Sequence, residues 1–246
     1  VRKRLTSPAC KEQALAELPA AGMRRVLSEG QSKKLLGIYG ITVNREALTQ
    51  SETEAVSAAE RIGFPVVLKA DSPDIPHKTE AGVVRLDVKD ADAVRRAYAE
   101  IAAALKQQPS TVKLNGIVVQ EMVKAPIEMM IGASVDTQFG PMITCGFGGT
   151  AVEIVRDVQT RRAPVSEAEA LEMVQSLRGG KLLSGYRNAA PANVDAFAQV
   201  VCRASELICD LQDHVAELDI NPVKLSAANA IAVDALIVLR EKEDKQ

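Results

Sequence analysis

The chain holds two histidines, His77 and His214, and His77 stands where an imidazole could carry a phosphoryl group. It lies in DSPDIPHKTEAG, residues 71–82, where Pro73, Pro76 and Gly82 make helix and strand equally poor fits. An imidazole with an ordinary pKa of about 6.5 is largely neutral near pH 7. Its free ring nitrogen already carries a lone pair, so it can attack a terminal phosphorus without a separate base and later pass the group on. The transferred charge needs cations close by. Lys78 is the next residue, and Lys69 ends the apolar run PVVLKA just upstream. Taken singly, a loop histidine is most often a solvated side chain, and a lysine at a strand end can simply snorkel.

Three further groups of residues bear on the same chemistry. Glu121-Met122-Val123, at the end of GIVVQEMV, can offer backbone groups and apolar walls to a planar base, or can be an ordinary strand end. GFGGT (146–150), with Glu153 and Asp157 after it, allows close backbone approach to a phosphate, or is a plain glycine-rich hairpin loop. The third group is VAELDINPV and AIAVDALIVL near the C-terminus. If these form a hairpin turning between Ala227 and Ala228, Asn221 falls opposite Asp234, with Asp219 on the same face. Two carboxylates and an amide make a hard-oxygen set suited to Mg²⁺. Carboxylates within so apolar a strand are costly unless paired or coordinating; a turn role for Asn-Pro is the alternative.

The elements that must position these groups are a mixture of helices and strands. Ser28/Gln31, Ser51/Glu54 and Ser166/Glu169 have capping-box spacing ahead of helical runs, and Gly63 is placed to end the second. PVVLKA (65–70) and residues 82–88 read as strands around the His77 loop, followed by a helix over 90–107. GIVVQEMV, IEMMIGASV and PMITCG read as three closely spaced strands, with DTQFGP turning between the last two and AVEIV (151–155) resuming the pattern. A long helix covers 194–211. This order predicts a mixed α/β (α+β) fold with several antiparallel neighbours. No repeat period, no GxGxxG and no Walker A sequence is present, so a nucleotide would be held by another architecture.

Composition narrows the partners. In 246 residues, 30 basic and 32 acidic side chains give a formal net charge of -2, which argues against nucleic acid. No apolar run is long enough to span a membrane and no secretory pattern appears, so no membrane association and a cytoplasmic location are expected. Cys10, Cys145, Cys202 and Cys209 include no CxxC pair. Cys202 and Cys209, seven apart on a predicted helix, lie about two turns apart, too far for a disulfide; buried reduced thiols are the simpler reading.

In order, PVVLKADSPDIPHKTEAGVVRL, GIVVQEMV, IEMMIGASVDTQFGPMITCGFGGTAVEIVRDV, LRGGKLLSGYR, AELDINPV and AVDALIVL resemble the ATP-grasp subunit or domain of ADP-forming acyl-CoA synthetases, relatives of succinyl-CoA synthetase. SPDIPHKT is the most specific segment. The resemblance implies an ATP-grasp domain over 28–240, with a lid-like subdomain at about 45–120, and a nucleotide, ATP or ADP, held between two subdomains. Residues 1–27 would be an arm or linker, and 241–246 a polar tail. It implies that Lys69 contacts phosphates, that Glu121 and Val123 lie at the adenine hinge, that Asn221 and Asp234, with Asp219, hold Mg²⁺, and that His77 exchanges phosphate with the nucleotide. The implied reaction is acyl-CoA + ADP + phosphate ⇌ carboxylate + CoA + ATP. It needs a CoA-binding α-type subunit or fused domain that brings the acyl-CoA or carboxylate substrate. Two other readings stand beside it. An ATP-grasp carboxylate–amine ligase would need no phosphorylatable histidine, and a synthetase-like module of a protein acetyltransferase would not be catalytic.

Overall fold

The computed structural model describes residues 3–19, 26–75, 81–107, 109, 112–149, 157–185 and 190–240. In chain order, its first half contains α1 (Ala9–Glu17), α2 (Glu29–Ile38), β1 (Glu46–Thr49), α3 (Glu52–Ile62), β2 (Val66–Asp71), β3 (Val84–Val88), α4 (Ala91–Leu105) and β4 (Gly116–Glu121). There follow β5 (Ile127–Asp136), β6 (Gly140–Phe147), β7 (Val158–Arg162), α5 (Glu167–Gln175), α6 (Gly180–Leu183), α7 (Val194–Asp210), β8 (Val215–Leu225), β9 (Ala230–Ala232) and β10 (Leu236–Leu239). The fold is mixed α/β, and the chain divides into two compact units: residues 28–30 with 44–123, and residues 1–27, 31–43 and 124–246.

The smaller unit is a four-stranded sheet in the order β1-β4-β2-β3, antiparallel throughout. Two helices cover one face. α3 starts where Ser51 Oγ accepts the Glu54 N–H at 3.2 Å. It ends at Gly63, whose φ of 94° is a left-handed conformation that glycine adopts without a Cβ penalty. α4 starts at Asp90, whose carboxylate accepts the Ala93 N–H at 2.7 Å. Their inward stripes, Ala55, Ala58 and Ala59 on α3 and Val94, Ala97 and Ile101 on α4, recur at helical spacing. They pack with Val66, Leu68 and Ala70 of β2 and Ile117 and Val119 of β4. Ile101 is fully buried, so truncating it to Ala costs about 2–5 kcal/mol.

The larger unit is a six-stranded antiparallel sheet, ordered β10-β8-β5-β6-β7 with β9 also on β8. α7 packs on β5, β6 and β8, and α5 packs on α7. Ten residues of α7 are buried, Phe197, Val201 and Leu207 among them, which is why this helix has so little polar face. α5 carries a complete capping box: Ser166 Oγ accepts the Glu169 N–H at 3.3 Å and the Glu169 carboxylate accepts the Ser166 N–H at 2.7 Å. The strand expected at 151–155 falls outside the described residues; an edge strand, β7, forms at Val158–Arg162.

Much of the N-terminal stretch belongs to this unit. Ala14 of α1 and Leu27 are in its core, with Leu5, Cys10, Leu15 and Leu18 packed against it. Glu206, in the buried face of α7, accepts the Leu5 and Thr6 N–H groups at 2.9 and 3.0 Å and the Thr6 hydroxyl. Arg4 reaches both oxygens of Asp210, at 3.0 and 2.5 Å. Tyr39 donates to the same carboxylate at 3.1 Å. Burial, and then the Asp210 charge, pushes the Tyr39 hydroxyl well above the usual tyrosine range. Among the described residues no helix is long and apolar enough to cross a membrane.

Candidate functional site

In the smaller unit, β2 alternates between its two faces. Val66, Leu68 and Ala70 point to the helices, so Lys69 projects from the other side. Across the strands on that side, Lys69 is paired with Val118 of β4 and Val84 of β3, and Val118 with Leu48 of β1. The lysine therefore emerges from a row of apolar side chains. It is 8% exposed, and its Nζ lies 2.5 Å from Glu29 Oε1. Gln120 Nε2 donates to that same Glu29 oxygen and to Glu46 Oε2, both at 2.8 Å. Glu29, Gln120 and Glu46 were not singled out by sequence. An acid in the first turn of a helix reads as a partner of the helix dipole, and only the fold brings it to Lys69.

The His77 loop leaves β2 two residues after Lys69, and its departure is anchored. The Asp71 carbonyl accepts the Asn115 N–H at 2.8 Å, and Asp71 Oδ2 accepts the Asn115 side-chain amide at 2.9 Å. Asp74 accepts the Lys113 N–H at 2.7 Å, and Ile75 is buried. At the return, Val83 is buried and its carbonyl accepts the Ala70 N–H at 3.0 Å. The five residues between, 76–80, lie outside the described residues; His77 and Lys78 are among them.

β4 ends at Glu121, and the chain passes to the larger unit after Val123. The Glu121 N–H donates to the Arg45 carbonyl at 2.8 Å and the Met122 N–H to the Pro65 carbonyl at 3.4 Å. The Glu121 carbonyl accepts the Asn44 side-chain amide at 3.3 Å. The Glu121 carboxylate is held by Arg45 Nε at 3.1 Å, and that hydrogen bond lowers its pKa.

In the larger unit the C-terminal hairpin has the register expected of it. Val223 pairs with Ala232 and Leu225 with Ala230, and Ser226 closes the turn to Asn229. β10 continues the same register, Leu236 opposite Asp219, so the gap between β9 and β10 places Asp234 opposite Asn221. A bulge in the β5–β8 pairing falls at this point. It resets the alternation of β8, whose buried residues run Leu218, Ile220, then Val223, Leu225. Before the bulge, Glu217 and Asp219 face a depression of about 330 Å³ walled by Met130, Thr144, Leu236 and Val238.

Burial, and then the like charge of Asp234, raises the Asp219 pKa. Two carboxylates close enough to repel, beside an amide, fit a divalent cation, which would neutralise both. Among the described residues no cluster of three His, Cys, Asp or Glu side chains has metal-site geometry.

The glycine-rich segment has a packing reason of its own. A Cβ on Gly146 would lie 2.5 Å from the Asp157 carbonyl oxygen, and one on Gly148 would lie 2.7 Å from that of Met129. Asp157 caps a turn, accepting the Arg178 and Gly179 N–H groups at 3.0 and 2.8 Å. Glu153 and Thr150 lie outside the described residues.

Set beside known proteins, residues 18–239 match the family described as the ATP-grasp domain. The chain is 38% identical over 231 residues to "Acetate--CoA ligase [ADP-forming] I" of Archaeoglobus fulgidus, covering 94% of itself but 33% of that protein. It is 36% identical over 220 residues to "Acetate--CoA ligase [ADP-forming] I subunit beta" of Pyrococcus furiosus, covering 89% of itself and 94% of the relative. The chain belongs to the ATP-grasp family, in the branch of the β subunits of ADP-forming acid–CoA ligases.

Solved structures of Ca. Korarchaeum cryptofilum dinucleotide forming acetyl-coenzyme A synthetase 1 agree. One, in complex with coenzyme A, Ca-AMPCP and HgCl+, has a TM-score of 0.85 at 38% identity, over 89% of this chain and 95% of that one. Another holds coenzyme A and Mg-AMPPCP, with its phosphohistidine segment pointing towards the nucleotide binding site; its TM-score is 0.78 at 36% identity, over 88% and 94%.

Proposed function

We propose that this chain is the nucleotide-handling half of an ADP-forming acyl-CoA synthetase and that His77 is its phosphate carrier. The observation that carries this reading is the origin of the loop. β2 projects a buried Lys69 from an apolar row and, two residues later, gives way at an anchored base to the segment bearing His77. A lysine fixed in that way can hold the phosphates of a nucleotide within reach of a carrier on the adjoining loop. The related synthetase with a phosphohistidine segment pointing towards its nucleotide site supports the same assignment.

In the direction of ATP use, a neutral ring nitrogen of His77 attacks the γ-phosphorus. An N–P bond forms, the bond to the β-γ bridging oxygen breaks, and ADP leaves with the electron pair. Lys69 and Lys78 offset the charge on the transferring oxygens. Glu121 and Val123 present the hinge to adenine. Asn221 and Asp234, with Asp219, hold Mg²⁺, which supplies charge neutralisation for the phosphate oxygens. The phosphoryl group then passes to a CoA-binding α-type subunit or fused domain, where the acyl-CoA and carboxylate are handled. The relatives support a partner of this kind, one being named a subunit beta and another being a protein of which this chain spans 33%. Cysteines Cys10, Cys145, Cys202 and Cys209, all free thiols, suit the reducing cytoplasm.

The test is ATP synthesis. Mixed with a CoA-binding partner, the chain should form ATP from acetyl-CoA, ADP and phosphate, read by a luciferase assay, and His77→Asn should abolish it. ATP formation that survives in His77→Asn would overturn the carrier assignment.

A further inference from the structure

We propose that Glu29 is a positioning residue for Lys69: its carboxylate keeps the ammonium charged and aimed along the apolar row until a nucleotide phosphate replaces it. The proposal rests on Lys69 as a phosphate contact.

Three observations carry it. First, the pair is close and dry, with Nζ to Oε1 at 2.5 Å and side chains 10% and 4% exposed. A buried amine with no anion nearby favours its neutral form, which has little to offer a phosphate. Second, Glu29 is itself fixed: Gln120 commits both amide hydrogens, one to Glu29 and one to Glu46. The same carboxylate oxygen thus meets both Gln120 and Lys69. Third, the strands on either side of Lys69 bring no competing charge directly opposite it. Val84 of β3 and Val118 of β4 stand opposite it and are uncharged. Glu46 of β1 reaches Glu29 through Gln120. Asp71, two residues along β2 on the same face, has Oδ2 bound to Asn115, while its buried Oδ1 has no hydrogen-bond partner among the described residues. A buried ion pair adds little net stability, so the consequence of this one lies in the charge it maintains. When phosphate arrives, the lysine exchanges one anion for another and the site needs no proton uptake.

The experiment titrates the Lys69 ammonium in the nucleotide-free chain by NMR, with the resonance assigned from Lys69→Arg, and measures Mg-ATP binding by calorimetry at pH 7 and 9.5. Wild type, Glu29→Gln and the charge-conserving Glu29→Asp are compared, each checked for folding by circular dichroism. In Glu29→Gln, the Lys69 pKa should fall by about one unit or more. Mg-ATP affinity should drop about twofold or more beyond the wild-type change between the two pH values, since an amine lowered by one unit from about 10.4 is roughly half neutral at pH 9.5. Glu29→Asp should stay near wild type in both. An unchanged Lys69 titration in folded Glu29→Gln overturns the proposal. A lowered titration together with an ATP affinity that Lys69→Met leaves unchanged supports the Glu29–Lys69 coupling and overturns Lys69 as the phosphate contact. The two readings therefore fail separately.

Discussion

Asn221 and Asp234 stand opposite each other in a break between β9 and β10, framed by the pairs Val223–Ala232 and Leu236–Asp219 in one continuous register. The Val233 N–H still donates to the Pro222 carbonyl at 3.1 Å, so the hairpin is held through the break. A strand interrupted there sets an amide and a carboxylate face to face, with Asp219 two residues along. The hydrophobic residues of β8 and β10 fix the register, and the polar ones follow from it.

The first prediction concerns the ion. Asp234→Ala should weaken binding of Mg-ATP by about tenfold or more, the scale seen when metal-site groups are removed, while leaving metal-free ATP nearly unaffected. Calorimetry with and without Mg²⁺ checks this. Equal affinities for wild type and variant in the presence of Mg²⁺ would remove Asp234 from the site.

Asp219 gives a prediction in pH. Its pKa is raised in the folded chain by burial and by Asp234, so the folded state holds this proton more tightly than the unfolded one. The associated stability is complete below the ordinary aspartate range and is lost as pH rises through the folded pKa. At pH 7, above the ordinary aspartate range, this shift therefore works against folding of the nucleotide-free protein. Asp219→Asn should raise Tm at pH 7, with the gain shrinking towards pH 4, and should reduce the extra Tm that Mg-ATP confers. A variant that melts below wild type at pH 7 would contradict this.

Glu206 tests the N-terminal stretch. Its carboxylate serves the Leu5 and Thr6 N–H groups from a buried position on α7. Glu206→Ala leaves those donors unmatched and should cost about 1–3 kcal/mol, lowering Tm by several degrees and opening residues 3–8 to proteolysis. Wild-type resistance to proteolysis in the variant would show that other contacts hold this stretch.

Much of the fold was legible in the sequence because the signals were local. Ser166 and Glu169 form the reciprocal box their spacing announces. Ser51 caps α3 as expected, although Glu54 turns to the Gln50 N–H at 2.7 Å instead of completing a box. The hairpin register could be counted from its turn, which placed Asn221 and Asp234 together. Signals from distant parts of the chain were not legible. α1 has no clear apolar periodicity, and the stretch before it is held by Glu206 and Asp210, about 200 positions away. β7 reads VQTRR, too polar for a buried strand, and is an exposed edge. Glu29 gains its interest only when β2 and β4 bring Lys69 and Gln120 to it. A charge whose partner is 40 positions away leaves no spacing to read.

The most direct test of the account is phosphorylation of His77. With γ-labelled ATP, Mg²⁺ and the CoA-binding partner, wild type should take up an acid-labile, alkali-stable label, and His77→Ala should take up none. Wild type without label, or His77→Ala labelled to the same extent, would contradict the assignment of His77 as the phosphate carrier.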